Sequence, residues 1–290
     1  MENTDECIPC YLGLILNVLD EQETSTEIRK QVMSLALKEG QKILDGGSTP
    51  TALMNVTTEL NRLMGGRDPY KKFKQASTQA ALEIYPGLEK MVDEHPDPFA
   101  RAVEFAVAGN SIDLVDIAES DLSEIIAWME KLDNSDFAIN HIGQLEVEIK
   151  SADTVLYIGD NAGETVFDRL VLKQIETEEL YYGVRGGPVL NDSTEADALE
   201  AGVDSEARII SSGIPAPGTL LDEVDSKFLE KFRRADLVIA KGQGNFESLQ
   251  HIPRPVYHLF KAKCPLVARQ AGCETGNFIV WKRLPEKYGE

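Results

Sequence analysis

Apolar residues recur along this chain with two rhythms, and the change falls near residue 150. Before it they return every three to four positions, the spacing of one helix face. Ile28, Val32, Leu35 and Ile43 mark such a face, which ends at Gly46-Gly47. Ser48-Thr49-Pro50 then supplies a cap and a first-turn proline, and Leu53, Val56, Leu60 and Leu63 carry the next face to Gly65-Gly66. Asp97-Pro98 opens another, with Phe99, Val103, Phe105 and Val107 ahead of Ala108-Gly109-Asn110. The stretch Leu122 to Leu132, with Ile125, Ile126 and Trp128, forms one more. These stripes read as core rather than as a cofactor surface.

Beyond residue 150, short apolar runs at 154–158, 180–184, 207–211, 236–240 and 255–260 alternate with polar helical stretches. That alternation predicts a mostly parallel sheet covered on both faces. The expected fold class is α/β: a three-layer α/β/α, Rossmann-like domain over residues 151–290, capped by an all-helical subdomain over 1–150. Its site is expected in the cleft between them. No internal repeat, low-complexity segment or long linker interrupts the chain.

The chemistry collects where predicted strands end. Thr154-Val155-Leu156-Tyr157-Ile158 runs into Gly159-Asp160-Asn161-Ala162-Gly163-Glu164, and a helix-spaced run follows from Thr165 to Lys173. An acid and an amide thus sit at the carboxyl end of a strand, the edge at which open α/β sheets bind ligands. Their oxygens suit a hard cation such as Mg²⁺, and the nearby helix start suits an anion. The same residues are also ordinary turn and cap formers. After Leu180 to Val184 comes Arg185, whose guanidinium could hold phosphate or carboxylate, and then Asp192 ahead of a helical run. Asp192 reads either as an N-cap or as a third oxygen ligand beside Asp160 and Asn161. After Asp236 to Ala240, Lys241-Gly242-Gln243-Gly244-Asn245 offers glycines that let backbone approach an anion, plus a point charge. A surface turn with an incidental lysine is the alternative there. Asn110-Ser111-Ile112-Asp113 is polar where a helix ends against the cleft, as a cap or as a substrate contact.

Composition narrows the partners. Across 290 residues, 49 Asp and Glu outweigh 29 Lys and Arg, for a formal charge of −20. A field of that sign repels nucleic acid and anionic membranes but leaves small phosphorylated substrates open, given a local cation. No apolar run reaches membrane length, and the opening Met1-Glu2-Asn3-Thr4-Asp5-Glu6 is acidic, unlike a secretory signal, so a cytoplasmic location is expected. Cys7 and Cys10 have the spacing of a metal knuckle or redox pair, but Cys264 and Cys273 do not complete a zinc-ribbon pattern. Cys264 reads either as a small buried apolar residue or as a partner of Cys7 and Cys10 in a second metal or redox site. The four histidines follow no ligand spacing, and His258 reads as a packed strand residue.

GDNAGE, RGGPVLND and KGQGNFE, with GNSID upstream and Cys-x-x-Cys near the start, together resemble the damage-control phosphatase family, long catalogued as a domain of unknown function. The paired cysteines resemble its archaeal and bacterial branch. The resemblance implies a helical subdomain on an α/β/α sheet and divalent-metal-dependent hydrolysis of phosphomonoesters such as sugar phosphates or damaged phosphometabolites. It places Asp160, Asn161 and Asp192 at metal-ligand and catalytic positions, for Mg²⁺, Mn²⁺, Co²⁺ or Ni²⁺. It matches Lys241 to a phosphate-binding lysine, and it sets Glu164, Arg185, Asn110, Asp113 and Asn245 near the substrate. Attack by water and attack by the Asp160 carboxylate both fit these positions. Two rival expectations are an S-adenosylmethionine-dependent carboxyl methyltransferase, an activity also attributed to the wider family, and a non-catalytic metal- or metabolite-binding protein.

Overall fold

The computed structural model describes residues 5–22, 24–109, 122–132 and 136–284. Its N-terminal part is helical: α1 (Cys7–Glu21), α2 (Thr26–Leu44), α3 (Thr49–Leu63), α4 (Lys71–Asp93), α5 (Pro98–Gly109) and α6 (Leu122–Met129). Local chemistry starts α2 and α3 where the sequence predicts: the Ser25 and Ser48 side chains accept hydrogen bonds from the Ile28 and Thr51 amides. The remaining elements are β1 (Phe137–Asn140), α7 (Ile142–Ile149), β2 (Thr154–Ile158), α8 (Glu164–Leu172), β3 (Glu179–Val184), α9 (Glu195–Glu200), β4 (Arg208–Ser211), α10 (Ser226–Arg234), β5 (Leu237–Lys241), α11 (Gln243–Leu249), β6 (Val256–Lys261), α12 (Pro265–Ala271) and β7 (Phe278–Arg283).

The seven strands form one sheet in the order β1-β7-β6-β5-β2-β3-β4. Neighbours from β6 through β4 run parallel, while β7 is antiparallel to β6 and parallel to β1. All five predicted strands are present. The two strands beyond them, β1 and β7, pair with each other at one side of the sheet. The chain leaves β2 for β3 on one side and later returns through β5 on the other. The crevice beyond the carboxyl ends of β2 and β5 is therefore the topological switch point, where such sheets take ligands.

Strand alternation distributes the core. Val155 and Tyr157 of β2, with Leu237 and Ile239 of β5, face a layer that includes α4, α5 and α8, while Leu156, Ile158, Val238 and Ala240 face α10. A further cluster joins Phe246 of α11, Phe260 of β6, Val267 of α12 and Ile279 of β7. Helices α1 to α3 keep a separate core of Tyr11, Leu19, Val32, Ile43, Leu53 and Val56. The division at residue 150 thus falls inside the layered body. Strand β1 precedes it yet belongs to the sheet, and α4 and α5 pack on the sheet rather than with α1 to α3. The three-helix unit reaches the sheet's carboxyl edge through Leu190, which packs against its core, and through Asn61 Nδ2, which donates to the Pro188 carbonyl at 2.8 Å. Among the described residues no helix is long and apolar enough to cross a membrane.

His258 of β6 is fully buried, edge-on to Phe246 at 5.2 Å, and neither ring nitrogen has a hydrogen-bond partner. Burial, aided by the Arg283 charge, pushes its pKa down to about 3. An unfolded histidine takes up a proton near 6.5, so stability is complete above that pH and falls as pH drops from 6.5 towards 3. In urea titrations, the stability difference between wild type and His258→Leu is expected to shift by about 2 kcal/mol between pH 7 and pH 5, the variant being the less acid-sensitive. A difference independent of pH would remove the imidazole as the cause.

Candidate active site

Three loops meet at the switch point, and close packing shapes each. At Gly159, just past β2, a Cβ would collide with the Tyr182 hydroxyl. At Gly242, just past β5, φ is +79°, and a Cβ would occupy the position of the Asp160 carboxylate. The loop after β3 is stitched to the loop after β2 by main-chain bonds: Ser193 N to the Asp160 carbonyl at 2.7 Å and Ala162 N to the Asn191 carbonyl at 2.9 Å. Asn161 and Asp192 face each other across an antiparallel bridge. The spacing in sequence between these motifs therefore becomes one compact cluster.

Arg185 organises that cluster. Its Nε donates to Asp192 Oδ2 at 2.7 Å, Nη2 to Asp160 Oδ1 at 3.3 Å and Nη1 to Asn245 Oδ1 at 3.2 Å. Asn245 is itself fixed, donating to the carbonyls of Gly159 at 3.1 Å and Lys241 at 2.8 Å and accepting from Thr219 Oγ1 at 2.9 Å. Asn161 Nδ2 donates to Asp160 Oδ2 at 3.2 Å and Glu164 Oε2 at 3.1 Å, which leaves its amide oxygen for another partner.

A second tier lies beneath. Lys241 is the last residue of β5, and strand parity turns its side chain towards α5 and α8. Fully buried, its ammonium donates to Asp168 Oδ1 at 2.8 Å, to the Ala106 carbonyl at 2.9 Å and to Glu164 Oε1. Those three contacts match its three N–H donors. Asp168 also accepts from the Tyr157 and Tyr182 hydroxyls, both at 2.8 Å.

The electrostatics are unbalanced. Burial, together with the negative charges of Asp192 and Glu164, pushes the Asp160 pKa up to about 7, despite the opposing charges of Arg185 and Lys263. Burial also raises Asp192 and Asp168, against the pull of Arg185 and Lys241 respectively. Burial would depress Lys241, but Asp168 and Glu164 outweigh it and hold the ammonium above its usual range. Four carboxylates (Asp160, Glu164, Asp168 and Asp192) thus face two buried cations, Arg185 and Lys241.

The structure brings together Asp160, Asn161, Glu164, Arg185, Asp192, Lys241 and Asn245. Arg185 and Lys241 spend their donors on internal carboxylates, Asn245 and a carbonyl. Asp192 lies before the N-cap of α9, which is Thr194. Asn110 and Asp113 lie outside the described residues. Cys10, on α1 with Cys7, lies near Cys264, the N-cap of α12. Burial and the charges of Cys264, Glu247 and Cys7 raise the Cys10 thiol, and Cys264 Sγ accepts from Gln243 Nε2 at 3.6 Å. All four cysteines are free thiols, and among the described residues no three His, Cys, Asp or Glu side chains converge as a ready cation cage. Sequence reasoning missed Asp168, Tyr157 and Tyr182, whose hydroxyls and carboxylate sit within an apolar-looking strand and helix pattern. It also missed Lys263, an exposed cation whose charge reaches Asp160.

Acids and an amide at the switch point of a doubly covered sheet make this an α/β protein with an oxygen-rich pocket edge. The family described as "Damage-control phosphatase ARMT1-like domain" matches residues 4–279, and this chain belongs to it. It is 32% identical over 280 residues to a damage-control phosphatase of Pyrococcus horikoshii, covering 94% of this chain and 96% of that one. It is 31% identical over 283 residues to a damage-control phosphatase of Archaeoglobus fulgidus, covering 94% and 96%. The crystal structure of a DUF89 family protein from Pyrococcus horikoshii superposes with a TM-score of 0.88 at 31% identity, covering 98% of this chain and 99% of that one. These relatives support a phosphatase-type, hydrolytic function.

Because native Asp160 holds its proton up to about pH 7 whereas an unfolded aspartate releases it near 3.9, stability falls as pH rises through that window. Asp160→Asn is therefore expected to raise the Tm of the metal-stripped protein, by roughly 2–4 °C per kcal/mol relieved, and more at pH 8 than at pH 5. Calorimetry at the two pH values checks this, and a Tm lowered at pH 8 would contradict it.

Proposed function

We propose that this protein is a divalent-metal-dependent phosphatase acting on small phosphomonoesters, such as sugar phosphates or damaged phosphometabolites. The observation that carries the reading is the carboxylate-rich make-up of the buried network: among the described residues it sets four carboxylates beside two buried cations, and Asp160 keeps its proton up to about pH 7. A hard divalent cation suits that make-up, and the donor set of Asp160, Asp192 and the free amide oxygen of Asn161 is all oxygen, as Mg²⁺ and Mn²⁺ prefer. Bound there, such an ion supplies Lewis acidity at a phosphate oxygen and orients the attacking group.

The chain's own residues perform the rest. Arg185 holds the Asp160 and Asp192 carboxylates in a fixed relation, and Asn245 sets the plane of the guanidinium. Lys241 anchors Glu164, and Glu164 orients the Asn161 amide. Lys241 thus supports the ligand set from below, and direct contact with phosphate would require it to exchange one of its present acceptors. Lys263, exposed at the rim, supplies a cation that draws a phosphate group in against the protein's overall negative field.

The test is phosphate release by EDTA-stripped protein from p-nitrophenyl phosphate and a panel of sugar phosphates, with Mg²⁺, Mn²⁺, Co²⁺ or Ni²⁺ added back. Activity is expected to return with metal and to fall on the order of 100–1000-fold in Asp160→Ala. Lys263→Ala is expected to raise KM more than it lowers kcat. No turnover with any metal, combined with metal-independent binding of S-adenosylmethionine, would replace this reading with methyl transfer.

A further inference from the structure

Lys74 lies in the helical layer, outside every motif that defines the site, yet it touches the Asp192 loop. It stands in the first turns of α4 and is almost wholly buried, where a lysine opposes the helix dipole and gains nothing from solvent. Its ammonium pairs with Asp68 Oδ2 and Asp197 Oδ2, both at 2.6 Å, and donates to the main-chain carbonyl of Asp192 at 3.4 Å. Asp197 in turn forms the capping box of α9, accepting from Thr194 N at 2.8 Å and Thr194 Oγ1 at 2.6 Å.

Residues 192–194 are therefore gripped from two sides. On the sheet side, Arg185 N donates to the Ser193 carbonyl at 2.9 Å and Ser193 N to the Asp160 carbonyl. On the helical side, only Lys74 and its partner Asp197 supply charged contacts among the described residues. The same loop, two residues earlier, carries Leu190 at φ +45°, a conformation uncommon outside glycine, with its side chain packed on the core of α1 to α3.

We propose that Lys74 is a positioning residue, a charged strut from the helical layer that fixes the main chain at Asp192 and so aims its carboxylate into the site. The strut acts through the Asp192 carbonyl and the Asp197 cap; Lys74 itself touches no reacting group. Its consequence for metal binding rests on the function proposed above, whereas its consequence for the loop does not.

Two readouts test it. In amide hydrogen exchange, Lys74→Met is expected to speed exchange across residues 186–194 at least tenfold. Arg101→Met, which removes a buried cation bonded to Glu104 and to carbonyls at the end of α6, is expected to leave that segment unchanged while lowering Tm. Mn²⁺ titration followed by electron paramagnetic resonance is expected to show affinity weakened about 10–100-fold in Lys74→Met, the range for support residues behind metal ligands, and unaltered in Arg101→Met. Asp197→Asn keeps an acceptor for Thr194 but removes the charge, and is expected to show the same two effects in milder form should Lys74→Met fail to fold. Unchanged exchange at 186–194 in these variants, or equal loosening in Arg101→Met, would overturn the strut. A wild type that takes up no Mn²⁺ would instead overturn the metal reading, and the exchange comparison would still decide the role of Lys74.

Discussion

The carboxyl edge of this sheet depends on one guanidinium. Arg185 lies almost fully buried between Asp160 and Asp192, and it keeps two aspartates tolerable in a place where water screens them little. An ion pair at contact distance contributes about 4 kcal/mol of attraction at an effective dielectric near 20, while an unpaired buried carboxylate costs several kcal/mol. Burial, joined by the charges of Asp192 and Glu164, outweighs Arg185 and Lys263, so Asp160 retains affinity for its proton. That residual negative charge is the property on which the proposed cation site rests.

The fold serves this arrangement through parity and topology. The switch between β2 and β5 brings Asp160 and Gly242 together, and the missing side chain of Gly242 is the space the Asp160 carboxylate fills. Strand alternation sends Lys241 into the helical layer, where it meets Glu164 and Asp168. The helical part contributes directed contacts to the same edge: Asn61 on Pro188, the core of α1 to α3 around Leu190, and Lys74 on Asp192. Such struts bring the loop after β3 under the control of helices that carry none of the recognised chemistry.

Much of this was legible in the sequence, for a physical reason. Buried parallel strands are uninterrupted apolar runs, so the five strands from β2 to β6 stand out, and a turn that must place an acid against backbone carries its glycines visibly. What escaped was set by tertiary contacts. The short β1 and the polar-ended β7 have no distinctive pattern; β7 is held by its antiparallel pairing with β6, and β1 by its pairing with β7. The inward turn of Lys241 follows from which face of β5 the helices cover, and a lysine after a strand reads equally well as a rim charge. Tyr157, Tyr182 and Asp168 look like core and helix surface until their polar ends meet. Lys74 gives no local signal, since its partners stand at 68, 192 and 197.

The central claim is that the Asp160–Asp192 pair binds a divalent cation in place of a retained proton. Isothermal titration of Mn²⁺ into the metal-stripped protein at pH 7, repeated in two buffers of different ionisation enthalpy, measures both the binding and the proton count. The account predicts one saturable site per chain with net proton release, and at least tenfold weaker binding without that release in Asp160→Asn. No saturable binding, or the same affinity and proton count in the variant, would contradict it.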